Sequence, residues 1–156
     1  MSTNIVNKAH LLHHWQGHRN LTRKVIEAFP EKELFSFSIG GMRPFADLVK
    51  EILSIDVPGL DGILHSKVEP YNHDLPYQTK AELLKAWDEA TLKINELFSA
   101  LPEDKFLENF NLFGQFNFPI IDNILYFIDN QIHHRGQGYV YLRALGIEPP
   151  FFWERQ

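Results

Sequence analysis

Tyr126, Asn130, His134 and Gln137 follow one another at intervals of three or four residues, the spacing that gathers side chains on one face of a helix. A phenol, two amides and an imidazole in such a row can hold a metal ion, orient a small molecule or close an internal hydrogen-bond network. Asp129 and His133 lie close to the row, while Ile124, Ile128 and Ile132 turn elsewhere. A helix packed on two or three sides buries part of this row, and a buried imidazole or amide without a partner costs at least about 1 kcal/mol. The row is therefore either a satisfied network or a site; the pair His133-His134 taken alone reads as a surface or hydrogen-bonded pair rather than as metal ligands. Gly136 and Gly138 lie in the same stretch. Each weakens a helix by about 1 kcal/mol relative to alanine, which marks the close approach of another helix or of a bound group.

The first periodic segment carries His10, His13, His14 and His18. His10/His14 and His14/His18 are each four apart, a geometry that lets two imidazoles grip one zinc or nickel ion. No carboxylate accompanies them locally, and they are expected to face solvent, near an interface. Asp47 and Glu51 are four apart beside Lys50, the pattern of a solvated face from which Glu51 can still turn inward. Gly40-Gly41 is not followed by Lys-Ser/Thr, and neither a Gly-x-Ser-x-Gly elbow nor a His-Glu-x-x-His helix is present, so phosphate-loop, serine-hydrolase and zincin chemistry have no support.

Four long helices must position these groups. The first is expected over Asn7–Ala28, with Leu11, Trp15, Leu21 and Val25 on its apolar face and Pro30 ending it. After an irregular stretch from Glu33 to Gly41, the second opens at Pro44, suited to a first turn because its missing N–H would be unpaired there. It yields to Pro58-Gly59, and Leu60–Lys67 has room for one more turn. The third starts at Thr79 with Glu82 three residues on, a capping box, and ends at Leu101-Pro102. Phe106 to Pro119, around Gly114, reads as a connector able to form a small hairpin. The fourth runs from Pro119 to Leu145 and stops at Gly146; the aromatic tail Glu148–Trp153 is expected to pack on the bundle.

The 156 residues suit one domain, residues 1–156, with 44% apolar and 22% charged residues. Thirteen Phe, five Tyr and three Trp promise a bulky core or a broad contact surface. A net charge of -5 gives no electrostatic reason to expect nucleic acid. The chain has no cysteine, which excludes disulfides and thiolate chemistry of its own. Met1 to Lys8 lacks a basic segment followed by an apolar run, and no window of about 18 apolar residues exists. Neither secretion nor membrane insertion is supported, and the expected location is the cytoplasm.

The run His133-His-Arg-Gly-Gln, then Tyr141-Leu-Arg-Ala-Leu-Gly and Pro149-Pro, resembles the C-terminal signature of the DinB/YfiT-like family. Trp15 and Arg19 on the first helix, and Met42-Arg-Pro-Phe-Ala-Asp-Leu-Val before the second, agree in order and spacing. The resemblance implies an all-α, four-helix bundle with up-down-down-up connectivity, commonly a homodimer, holding a divalent metal between helices. The family's usual ligands are three histidines; by position they fall here on Glu51, Asn130 and His134. Only one is histidine. Glu51 and His134 remain competent ligands for zinc, nickel or manganese, whereas Asn130 is a weak neutral oxygen donor; Asp129 or His133 is a conceivable substitute. Two functions follow from the resemblance: a metal-dependent transferase or isomerase using a low-molecular-weight thiol, with Tyr126 or Gln137 orienting substrate, or a non-catalytic bundle whose altered site binds a small ligand or serves a structural role.

Overall fold

The computed structural model of the chain describes residues 4–156, so the expectation for the extreme N-terminus falls partly outside the described residues. Helix α1 spans Lys8–Ala28, α2 Glu31–Ser36, α3 Phe45–His65, α4 Lys80–Ala100 and α5 Ile120–Ala144. Local chemistry sets their starts. The Asn7 side chain accepts the His10 N–H, and Thr79 and Glu82 exchange both bonds of the capping box. A 3₁₀ turn, Glu103–Leu107, and an antiparallel hairpin, β1 Asn109–Leu112 with β2 Phe116–Pro119, join α4 to α5.

Side-chain pairings give the direction of each long helix. Trp15 meets Phe127, and His18 meets Arg135, so α1 and α5 are parallel. Lys8 reaches Leu101 while Arg23 reaches Asp88, so α4 opposes α1. Gly138 lies against Phe45 and Gly59 against Phe127, so α3 opposes α5. The order is up-down-down-up, as the sequence led us to expect. The parallel pair α3 and α4 requires the long crossover of residues 66–79 that returns the chain to the starting end of the bundle.

Three expectations are corrected. Pro58 does not end its helix: α3 continues to His65 because Gly59, Leu60, Gly62 and Ile63 are buried beyond it, and that packing outweighs one missing hydrogen bond. The stretch after Pro30 is partly helical, with Leu34 of α2 fully buried. The tail packs down only at its ends, where Pro149 is buried and Arg155 lies against Gly17. Phe151, Phe152 and Trp153 between them are more than half exposed, and Phe151 and Trp153 stack on each other instead. No described helix is long and apolar enough to cross a membrane.

The apolar core is divided. One half gathers Trp15, Ile63, Phe98, Phe127 and their neighbours; the other gathers Phe29, Phe45, Trp87 and Tyr141. Along every long helix the residues between the halves are polar and buried or nearly so: His18, Arg19 and Thr22 on α1, Ser54 and Asp56 on α3, Thr91 on α4, and Gln131, His134 and Arg135 on α5. This belt is where the candidate chemistry sits.

Candidate functional site

Glu51 leaves α3 and His134 leaves α5 at the same level of the bundle, and Glu51 Oε2 contacts His134 Nε2. Both are largely sheltered, with His134 only 7% exposed. Gln137, one turn beyond, turns its Nε2 toward Met42 Sδ at 3.6 Å, leaving Oε1 to accept from His134 Nδ1 at 3.0 Å. Nδ1 therefore carries a proton. Nε2 of a neutral ring would then point a lone pair at a carboxylate, so the contact needs a proton or another cation between Nε2 and Oε2. Arg43 closes the network by donating to Glu51 Oε1 at 3.2 Å. The Glu51 carboxyl is held below the usual range, first by the hydrogen bond from His134, with burial opposing and Arg43 assisting.

Glu51 also lines a pocket of about 200 Å³ with Ile55, Tyr71, Phe113, Gln115, Phe116 and Tyr126. Its aromatic walls come in pairs, Tyr71 against Phe113 and Phe116 against Tyr126. The hairpin delivers two of them. Phe113 and Gly114 occupy the central positions of its turn with φ of 53° and 73°, and Gln115 N–H donates to Leu112 O at 3.0 Å. This turn favours Asn or Gly at its first centre; a phenylalanine held there is strained by roughly 1–3 kcal/mol. Burial of the Phe113 ring offsets that cost and fixes it as a wall of the pocket. Burial and the nearby Glu51 charge push the Tyr71 phenol up to about 12 and raise that of Tyr126, so both remain protonated donors.

Of the residues singled out by sequence, Glu51, His134 and Gln137 form one connected network, and Tyr126 joins it through the pocket wall. Asn130 lies one turn before His134; its buried Nδ2 has no partner. Asp129 and His133 do not line the pocket: both are exposed, because neighbours in sequence point about 100° away on a helix. Arg43, Tyr71, Phe113 and Phe116 were not singled out. They come from the α2–α3 approach, the crossover and the hairpin, and no helical period links them to Glu51.

Three of the first-helix histidines face solvent as expected, and one does not. His10, His13 and His14 are exposed, but His18 is buried. The buried Arg135 donates to His18 Nδ1 at 2.9 Å, to His18 O at 3.1 Å and to Thr22 Oγ1 at 3.3 Å. Arginine can only donate, so His18 Nδ1 accepts and Nε2 carries the proton, which it gives to His14 Nε2 at 3.2 Å. Burial, then Arg135 and His14, lower the His18 pKa to about 3. A nitrogen committed as a donor is not a metal ligand, and the His14/His18 pair is a hydrogen-bond relay.

For a metal at Glu51–His134 the donor set is incomplete. Two strong donors converge, the third position is the amide of Asn130, and among the described residues no three His, Cys, Asp or Glu side chains cluster. A neutral amide adds no charge to offset the desolvation of a divalent ion.

The up-down-down-up bundle is a fold that this chain shares with known proteins. The DinB family model matches residues 121–155, the segment formed by α5 and the tail. The uncharacterised protein YjoA of Bacillus subtilis (strain 168) is 27% identical over 157 residues, covering 93% of this chain and 96% of that protein. A DinB-like protein of Bacillus cereus ATCC 10987 superposes with a TM-score of 0.75 at 18% identity, over 92% of this chain and 95% of that one. The crystal structure of Bacillus subtilis YjoA, itself DinB-like, gives 0.72 at 21% identity, over 91% and 96%. The chain thus resembles the DinB family over its last helix and tail and shares the fold of these DinB-like proteins.

Proposed function

We propose that the chain binds a small organic molecule in the aromatic pocket beside Glu51, with the Glu51–His134 pair as its polar anchor. One observation carries this reading: two helices bring a carboxylate and an imidazole into contact at the wall of a pocket whose other lining is mostly aromatic. Apolar walls with a few convergent polar groups are the usual composition of a small-molecule site. The pair can give or take one proton at Nε2 or Oε2, and the Tyr71 and Tyr126 hydroxyls can donate to a ligand acceptor. A ligand that binds only the folded chain raises its melting temperature by mass action. A screen of small molecules, low-molecular-weight thiols included, is expected to yield compounds that stabilise the wild-type chain and lose their effect with Glu51→Gln and Tyr126→Ala. Equal stabilisation of all three chains would place binding elsewhere and sink the reading.

The contact between Glu51 Oε2 and His134 Nε2, which requires a proton or another cation between them, favours a second reading in which these two residues and the Asn130 carbonyl oxygen hold a divalent zinc, nickel or manganese ion. A bound ion of this kind would supply Lewis acidity, lowering the pKa of a thiol cosubstrate for transfer or isomerisation chemistry. This chain's own part would be to hold the ion by two helices, to orient the His134 ring through Gln137 and to exclude water with the aromatic walls. Metal analysis of untagged protein, with His134→Ala beside it, separates the two readings. No metal above background after reloading refutes the second; a stoichiometric ion lost on substitution refutes the first as stated. If metal is held, turnover of small thiols with electrophiles distinguishes an enzyme from a metal-stabilised scaffold.

A further inference from the structure

A cleft of about 520 Å³ lies between α1 and the tail and shares no lining residue with the pocket beside Glu51. His13, Gln16, Gly17 and Asn20 follow one another at helical spacing and form its α1 wall. The tail is held against that wall: a Cβ on Gly17 would lie 3.2 Å from Arg155 Cβ, and Lys24 Nζ donates to Glu154 O at 3.2 Å. Trp153 and Arg155 thereby become the opposite wall, with Phe151 stacked on the Trp153 ring and bracing it. In a chain with 20 acidic and 15 basic residues, no Asp or Glu lines this cleft.

Its donors lack acceptors. Gln16 Nε2 is buried without a partner. Arg155 is half-buried, and its guanidinium joins no ion pair among the described residues. The buried Arg135 behind it donates only to His18 and Thr22, so it too has no carboxylate. Burial, and after it the repulsion from the Arg155 charge, lower the Arg135 pKa to about 10. His14 accepts the His18 proton at Nε2, so a neutral His14 ring carries its own proton on Nδ1 and adds a further donor to the cleft wall.

We propose that this cleft binds a small organic oxyanion, a carboxylate or a phosphate, whose flat body lies against Trp153. The planar guanidinium of Arg155 matches an oxyanion with two parallel hydrogen bonds. The Gln16 amide and the His14 Nδ1–H supply neutral donors beside it, and the bound charge offsets the two guanidiniums that no acidic side chain compensates. Trp153, 61% exposed, offers a planar ligand a large apolar surface. The two sites select different molecules, because the Glu51 carboxylate repels an anion from its own pocket.

The test is an NMR titration of the full chain with phenyl phosphate, benzoate, inorganic phosphate and the neutral benzyl alcohol, with far-UV circular dichroism to verify folding of each variant. At least one of the two aromatic anions is expected to shift the Trp153 indole N–H and the Gln16 side-chain amide, with a dissociation constant on the order of 1 mM or below. The tighter of the two identifies the oxyanion. Benzyl alcohol, which lacks the charge, and inorganic phosphate, which lacks the ring, are each expected to bind at least roughly tenfold more weakly. Arg155→Met keeps an apolar stem against Gly17 and removes the fork, and should weaken binding of the anion roughly tenfold or more. Gln16→Met should weaken it less, and Glu51→Gln should leave it unchanged. The proposal is overturned if neither aromatic anion moves these signals at about 10 mM, if benzyl alcohol or inorganic phosphate binds as tightly, or if Arg155→Met binds like the wild type. A loss of binding with Glu51→Gln also overturns it, since the anion would then occupy the other pocket.

Discussion

Arg19 and Asp56 are both 0% exposed in their side chains and meet at 2.8 Å, so the polar belt stakes stability on a fully desolvated ion pair. The guanidinium lies 3.8 Å from the centre of the Trp87 ring and also donates to Thr91 Oγ1 and Trp87 O. Asp56 Oδ1, by contrast, has no partner, and burial pushes the Asp56 carboxyl up to about 7 against the pull of Arg19. Removing one member should cost about 3–5 kcal/mol, a large fraction of the about 5–15 kcal/mol that stabilises a typical domain. The two single variants should differ in pH dependence. Asp56→Asn strands a guanidinium that stays charged across this range, so its penalty is flat from pH 5 to pH 8. Arg19→Met strands a carboxyl that can take up a proton. Because its folded pKa is raised, the native state favours the neutral form: stability is complete below the ordinary value of 3.8. It then falls by about 1.4 kcal/mol per pH unit until the folded pKa is reached. Urea denaturation of Arg19→Met at pH 5 and pH 8 should therefore differ by several kcal/mol in favour of pH 5, while Asp56→Asn should show no comparable difference. Replacing both residues by Met and Leu should cost little or stabilise. Equal and pH-independent losses for the two single variants would refute this account of the belt.

Other consequences are smaller. Gln131 is fully buried with neither amide atom partnered, so Gln131→Met, close in shape, should raise stability by roughly 1–3 kcal/mol; a lower urea midpoint would count against it. His18, held neutral with its proton on Nε2, should show no imidazole titration by NMR from pH 5 to pH 8, and Arg135→Met should raise its pKa toward 6.5. Since its folded pKa is depressed, the stability that neutral His18 contributes is complete above pH 6.5 and is lost as pH falls toward 3. Gly138→Ala should destabilise by about 1–3 kcal/mol, because the new methyl meets the Phe45 ring; unchanged thermal stability would show that the ring yields.

What was legible in the sequence was whatever adjacent residues settle among themselves. The starts of α1 and α4 follow from Asn7 and from the Thr79–Glu82 box, whose donors and acceptors lie within one turn. The end of α5 follows from Gly146, whose φ of 76° suits glycine. The polar face of α5 followed from a period of 3.6 residues, and the family resemblance added the connectivity and the Glu51–His134 pairing. The periodicity of α3 could not show that the helix survives Pro58, because residues elsewhere bury its last two turns. Nor could His18 and Arg19 be told from surface residues, since their partners Arg135 and Asp56 lie 117 and 37 positions away. The pocket is a tertiary product in the same sense: Glu51, Tyr71, Phe113 and Tyr126 come from four separate segments. Local capping and turn energies are fixed by neighbours along the chain, whereas burial, which decides each pKa and each wall of the site, exists only once distant helices have met.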